Sequence, residues 1–176
     1  SVRYHSYTSL GESSFEPRFG LKYNLTENLR FKSAGGVFSQ NLIAVNTGRE
    51  VVNLFQGFIS STMNLPDELN GEDRTSFLQR AKHAIVGLEY DINDKWTVNV
   101  EAYVKDFNQL INLNRNKLYE DDENNFDIDD ELKKDFIVET GLAKGLDFLF
   151  KYNDLRTSLW MVYSLGKVTR TDAFGT

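Results

Sequence analysis

Between Lys82 and Lys105 the chain alternates: Ala84, Val86, Leu88, Tyr90 and Ile92 are apolar, while His83, Gly87, Glu89 and Asp91 between them are mostly polar or small. A period of two is the signature of a strand with two unlike faces, not of a helix. After Asn93-Asp94-Lys95 the alternation resumes, with Trp96, Val98, Val100, Ala102 and Val104 on one face and Thr97, Asn99, Glu101, Tyr103 and Lys105 on the other. Two such strands across a short polar turn predict a β-hairpin.

The same pattern recurs on both sides of this hairpin. Residues 1–10 are rich in strand formers, and Gly11-Glu12-Ser13-Ser14 reads as a turn. A strand then opens at Pro17, whose missing N–H is harmless at a first position, and carries Phe19, Leu21, Tyr23 and Leu25 on its apolar face. Thr26-Glu27-Asn28 turns it into Leu29, Phe31, Ser33, Gly35 and Val37, with Gly35-Gly36 as the expected place for a bend. A third hairpin brings Leu146, Phe148, Phe150 and Tyr152 down to Asn153-Asp154 and returns through Leu159, Met161, Tyr163 and Leu165. Two long connections separate the hairpins, about 41–81 and 115–139. In the first, Asp73 is placed to cap a short helix over Glu72 to Arg80. The second strand of the central hairpin is expected to run on through Phe107, Leu110 and Leu113.

This pattern fits two architectures. In a soluble β-sandwich or jelly roll, such as a carbohydrate-binding module, a second sheet covers the apolar stripe. In an outer-membrane barrel the stripe faces lipid, and about ten residues suffice to cross the hydrocarbon layer. A small complete eight-stranded barrel is a third option. The turns favour a transmembrane barrel. They read Tyr23-Asn24-Leu25-Thr26, Tyr90-Asp91-Ile92-Asn93 and Tyr152-Asn153-Asp154-Leu155, so the short-turn edge carries an aromatic row of Tyr23, Tyr90, Trp96 and Tyr152, and the long polar connections fall on the opposite edge. The fold class expected is all-β: an antiparallel up-and-down barrel segment of about seven strands.

Composition narrows the chemistry. The 176 residues are 40% hydrophobic, with two prolines and no cysteine, which excludes a disordered or disulfide-stapled chain. Mean hydropathy is −0.44 and no 18-residue apolar run exists, so a membrane helix is excluded while a membrane strand is not. The net charge of −6 is concentrated in one place: nine acids against Lys133 and Lys134 lie between Glu120 and Asp135. No basic patch points to nucleic acid. Asp127, Asp129, Asp130 and Glu131 offer hard oxygen ligands for calcium, but the run lacks the spacing and glycine of an EF-hand. The expectation is a solvated loop with no metal. His5 and His83 stand in strands without a nucleophile or carboxylate at a recognised catalytic spacing, so no enzyme and no cofactor is expected.

Three stretches together resemble a TonB-dependent outer-membrane receptor of the kind found in Bacteroidota. They are Glu16-Pro17-Arg18 leading into FGLKYNLTENLRFKSAGGVFSQ, HAIVGLEYDINDKWTVNVEAYVK, and GLAKGLDFLFKYN followed by SLWMVYSLGK. The glycine-glutamate strand, the tryptophan opening the return strand and the E-x-Y-x-K ending are Gly87, Glu89, Trp96, Glu101, Tyr103 and Lys105. The resemblance implies an internal piece of a barrel of about 22 strands, residing in the bacterial outer membrane and lacking the plug within these residues. It also implies a parent that imports a siderophore, glycan or peptide with TonB-supplied energy. Its partners would be outer-membrane lipid, its own plug domain, the TonB complex and a surface lipoprotein.

If the apolar stripe faces lipid, parity sends Arg18, Lys22, Arg30, Lys32, Glu89, Glu101 and Lys105 into the lumen, where they pair with one another, touch a plug or line a substrate path. In the long connection 41–81, Phe55, Phe58 and Phe77 beside Gln56, Asn64 and Asn70 are the candidate ligand contacts.

Overall fold

The computed structural model describes residues 1–45, 57–60, 65–66, 68–69, 72–74 and 76–171. Strand β1 (Val2–Tyr7) pairs with β2 (Glu12–Asn24), which leads into β3 (Leu29–Gln40). Two small two-stranded sheets follow, β4 (Leu42–Val45) with β5 (Gly57–Ser60) and β6 (Glu68–Leu69) with β7 (Glu72–Asp73). The chain then returns through β8 (Gln79–Asp91), β9 (Trp96–Leu113), β10 (Phe136–Asn153) and β11 (Ser158–Thr171). Between β9 and β10 lie one turn of 3-10 helix at Glu123–Asn125 and the short helix α1 (Asp130–Lys133).

The large sheet has the order β1-β2-β3-β8-β9-β10-β11, every pair antiparallel. It is an up-and-down meander of seven strands, open at β1 and β11 and not closed into a barrel. In all three hairpins the alternation sets the register. Leu88 faces Val100 across the central turn, Tyr23 faces Phe31 in the first, and Leu146, Phe148, Phe150 and Tyr152 face Leu165, Tyr163, Met161 and Leu159 in the last.

Several local expectations give way. Residues 8–11 form the first turn, with Gly11 at φ 65°, and Glu12–Ser14 belong to β2. Pro17 therefore stands inside a strand, at the point where β2 changes partner: Val2↔Pro17 is the last pair with β1 and Arg18↔Gly36 the first with β3. The Arg18 N–H donates to the Ser1 carbonyl, towards β1, so the missing N–H of Pro17 falls on the side where β2 has left β3. Gly35 and Gly36 make no bend. A Cβ on Gly35 would stand 2.6 Å from the Phe19 ring, and one on Gly36 would stand 2.9 Å from Arg18 Cγ, so both glycines make room for β2 side chains. No helix forms over 72–80, because Glu72–Asp73 pair with β6 and Gln79–Arg80 pair with β3. Strand β10 begins at Phe136, three residues before the expected loop end, and its first pair is with Leu113.

Dense packing is confined to the loop end of the sheet. Leu65, Ile111, Phe136 and Val138 form the buried cluster, joined by Phe77 and Leu113, while Leu78 is fully enclosed. Among the described residues the body of the sheet has no such cover on its apolar face.

Candidate functional site

Following the register from β2 to β11, Tyr23, Phe31, Leu88, Val100, Phe148 and Tyr163 form one continuous row. The next row towards the loops is Leu21, Ser33, Val86, Ala102, Leu146 and Leu165. Much of these rows is exposed: Tyr23 is 60%, Leu21 56%, Val86 49% and Tyr163 56% accessible.

The hairpin ends are staggered in a regular way. Asn24, at the end of β2, aligns through Arg30 with Glu89, and β8 ends two residues further on at Asp91. Asp91 aligns through Thr97 with Lys151, and β10 ends two residues beyond at Asn153. Two residues along the strand are about 6.8 Å, and two strand spacings are about 9.6 Å. The line through the hairpin ends is therefore inclined by about 35° to the hydrogen-bonding direction.

Measured against that inclined line, the aromatic residues stand at one level. Tyr23, Tyr90 and Tyr152 are each one residue before the end of their strand, and Trp96 opens β9 with its ring 4.8 Å from that of Tyr152. Eight residues away from each tyrosine, on the same face, stand Phe15, Lys82 and Lys144. Phe15 is beside Tyr4 in the register. The apolar belt is thus bounded at both ends, with a height of about 27 Å along the strands and about 22 Å perpendicular to the inclined line.

All seven charged residues picked out by parity lie on the opposite face, and at its hairpin end they neutralise one another. Arg30 donates to Glu89 and to Asp91, each at 2.6 Å, and Lys32 pairs with the other Glu89 oxygen. Lys22 lies beside Lys32 in the register, and Glu101 accepts from Asn99 at 2.8 Å. Arg18 pairs with Glu16 at 2.6 Å, and the Lys105 ammonium stands 5.4 Å from the Tyr103 ring centre.

Two features of this face had no counterpart in the sequence reading. Glu16, almost wholly buried, accepts from the Ser39 N–H at 3.0 Å and the Ser39 hydroxyl at 2.7 Å, so its carboxylate replaces the backbone partner that β3 loses where β2 peels away. Glu12 likewise accepts from the Ser76 hydroxyl and the Phe77 N–H, both at 2.6 Å. The second feature is Tyr103, which lies over Gly145 and Gly166: a Cβ on either would come within 2.7 or 3.0 Å of its hydroxyl. Carboxylates one and five residues before an isolated strand proline, and a tyrosine among polar strand positions, were the available signals.

In the loops, Phe77 packs on the buried cluster with the Arg74 guanidinium 4.1 Å from its ring centre. Phe58 lies in β5. Phe55, Gln56, Asn64 and Asn70 lie outside the described residues. In the acidic connection Lys117 bridges Glu120 and Asp135 at 3.0 and 2.9 Å, Lys133 pairs with Asp130, and Lys134 pairs with Asp121. The hydrogen bonds that Lys117 donates to Asp135 and Glu120 raise its pKa above the ordinary value. Among the described residues no three His, Cys, Asp or Glu side chains are grouped to hold a metal ion, Asp127, Asp129 and Asp130 included. Compared with protein-family models, curated proteins and solved structures, the chain matches none.

Proposed function

We propose that this chain is part of the wall of a transmembrane β-barrel of the outer-membrane type, seven strands of a larger barrel of about 22. The parent, in this reading, is an active transporter that binds a siderophore, glycan or peptide at its outer surface and imports it with TonB-supplied energy. The observation that carries the barrel reading is the uncovered belt. Its height of about 22 Å approaches the ~25 Å apolar band of such barrels, and the inclination of about 35° matches their strand tilt of 35–45°. At that tilt Tyr23, Tyr90, Trp96 and Tyr152 lie level at one interface, while Lys82 and Lys144 lie at the other, where their stems reach along apolar surface and their ammonium groups stay wet.

Support for transport comes from the resemblance of the three strand phrases to TonB-dependent receptors and from the charged opposite face, which would line the lumen or meet a plug. The two open sheet edges, β1 and β11, would pair with further strands of the same barrel. Outer-membrane lipid is then the partner of the belt, and the plug, the TonB complex and a surface lipoprotein are partners of the parent.

Peptide-specific detection in fractionated cells tests this directly. The expected result is a polypeptide several times larger than the 20.2 kDa of this chain, in the outer-membrane fraction, and required for uptake of one nutrient. A soluble polypeptide near 20 kDa would overturn the proposal and make a sandwich-type binding module the working alternative.

A further inference from the structure

The charge balance of the polar face changes along the strands. At the hairpin end Arg30 and Lys32 are met by Glu89 and Asp91. Towards the loops Glu16 pairs with Arg18, Glu139 pairs with Arg170 and accepts from Asn112, and Glu12 is held by Ser76 and Phe77, while among the described residues neither Arg3 nor Lys105 has an acidic partner within ion-pair distance. A cavity of about 500 Å³ opens there, with Arg3, Arg18, Phe38, His83, Phe107 and Asn112 in its lining. That volume lies within the range of small-molecule sites.

The side chains around it form one connected stack. The Arg18 guanidinium carbon stands 4.4 Å from the centre of the Phe38 ring, Phe38 lies 4.5 Å from the His83 ring at 30°, and His83 meets Phe107 edge-on at 6.1 Å. Register explains the stack. Arg18 and His83 flank Gly36 on either side, and any Cβ there would press on the Arg18 stem, so the missing side chain lets Arg18 lie across β3 towards His83.

Hydrogen bonding within this stack is incomplete at two atoms. Arg18 Nη2 is engaged by Glu16, and the second Glu16 oxygen is taken by Ser39. Arg18 Nε and His83 Nε2 are both buried without a partner. Each of these two atoms therefore keeps a hydrogen-bonding position that a water or a solute group can fill. Two arginines beside them favour an anionic oxygen group, since a guanidinium offers paired N–H donors matched to carboxylate or phosphate.

We propose that this cavity binds a small anionic solute by a carboxylate or phosphate group, held by Arg3 and Arg18 with His83 beside them, its remainder seated against Phe38 and Phe107. The inference deepens the transport reading, in which this face lines the lumen, by naming the charge class of what passes the loop end.

The test uses the full native polypeptide carrying this segment, purified in detergent, with benzoate, inorganic phosphate and the neutral benzamide as probes in titration calorimetry. Benzoate or phosphate is expected to bind, each displacing the other if both do, while benzamide does not. Arg3→Gln is expected to weaken the bound anion at least tenfold with an unchanged melting midpoint. Lys22→Gln, at the hairpin end, should leave it within twofold. Equal binding of benzamide, no binding of either anion, or an Arg3→Gln affinity within twofold of the native would overturn the site. Cell fractionation keeps the two readings apart: a soluble polypeptide that binds benzoate retains the anion site and loses the transporter, whereas an outer-membrane polypeptide indifferent to both anions loses only the site.

Discussion

Val86 is the residue on which the lipid-facing reading stands most exposed to test. It lies on the apolar face four residues from Tyr90 and four from Lys82, midway between the two boundaries of the belt. Each boundary is about 11 Å away, measured perpendicular to the line through the hairpin ends. Its side chain is 49% accessible. Val86→Arg in a bilayer places a guanidinium at the midplane, which costs about 2–4 kcal/mol; the same change at Ile92, beyond the tyrosine level, costs about 0–1 kcal/mol. In water neither substitution would matter much, because exposed positions without special contacts tolerate change within about 0.5 kcal/mol.

The assay is reversible unfolding of the native polypeptide in phospholipid vesicles, followed by tryptophan fluorescence. Taking a slope of about 4 kcal/mol/M in guanidinium, Val86→Arg should lower the midpoint by about 0.5–1 M and Ile92→Arg by at most about 0.25 M. Ser164→Arg supplies the parity control, since Ser164 lies on the polar face opposite Asp147, and should shift the midpoint by less than about 0.15 M. Equal costs at Val86 and Ile92, or a cost at Ser164 as large as at Val86, would refute the assignment of faces. Losses below about 0.5 kcal/mol at all three sites would place the apolar face in water.

Three further outcomes are expected. Glu16→Ala strands the Ser39 N–H and leaves the Arg18 charge unpaired, so it should cost about 3 kcal/mol by the same unfolding titration, with Glu16→Gln recovering part of this through its retained acceptor. Gly145→Ala drives a methyl against the Leu165 carbonyl and the Tyr103 hydroxyl and should cost about 1–3 kcal/mol, whereas Tyr103→Phe should stay within about 0.5 kcal/mol. Lys117, whose pKa is raised by Asp135 and Glu120, ties the connection 114–135 together while it is charged; that contribution is complete below its ordinary value and lost as pH rises through the elevated one. Subtilisin cleavage of the connection should therefore stay slow up to about pH 10 and accelerate above about 10.5, and Lys117→Met should abolish the pH dependence.

The hairpins were legible because alternation and turn length fix a register between them: once Tyr90 and Trp96 bracket a short polar turn, Leu88 must meet Val100. Face assignment followed for the same reason, and Arg18, Arg30, Lys32, Glu89, Glu101 and Lys105 all fall where parity places them. What failed was local punctuation. Gly11–Ser14 has turn composition throughout, yet only Gly11 adopts a left-handed backbone, and Asp73 resembles a helix cap although its backbone is taken by Glu68. Long-range pairing overrode both signals. The partners of charges were also illegible, since Arg30 meets a residue 59 positions away through a connection whose length says nothing of register. Arg3 lies in a stretch without clean alternation, so its place beside the cavity could not be read before β1 was paired.

The two ends of the polar face differ in how their charges are used. Near the short turns Arg30 and Lys32 are paired with Glu89 and Asp91. Near the long connections Glu12 and Glu16 hold β2 to the backbone of Ser39 and Phe77, Glu16 also pairing with Arg18, and among the described residues Arg3 and Lys105 are left without an acidic partner within ion-pair distance. A low-dielectric wall with an uncompensated charge at one end concentrates counter-ions there. The carboxylates that splice the strands and the cations that would recognise a solute are therefore parts of one arrangement: restoring a free acid, for example Gln79→Glu on the cavity lining, should weaken anion binding there while leaving the strand splice intact.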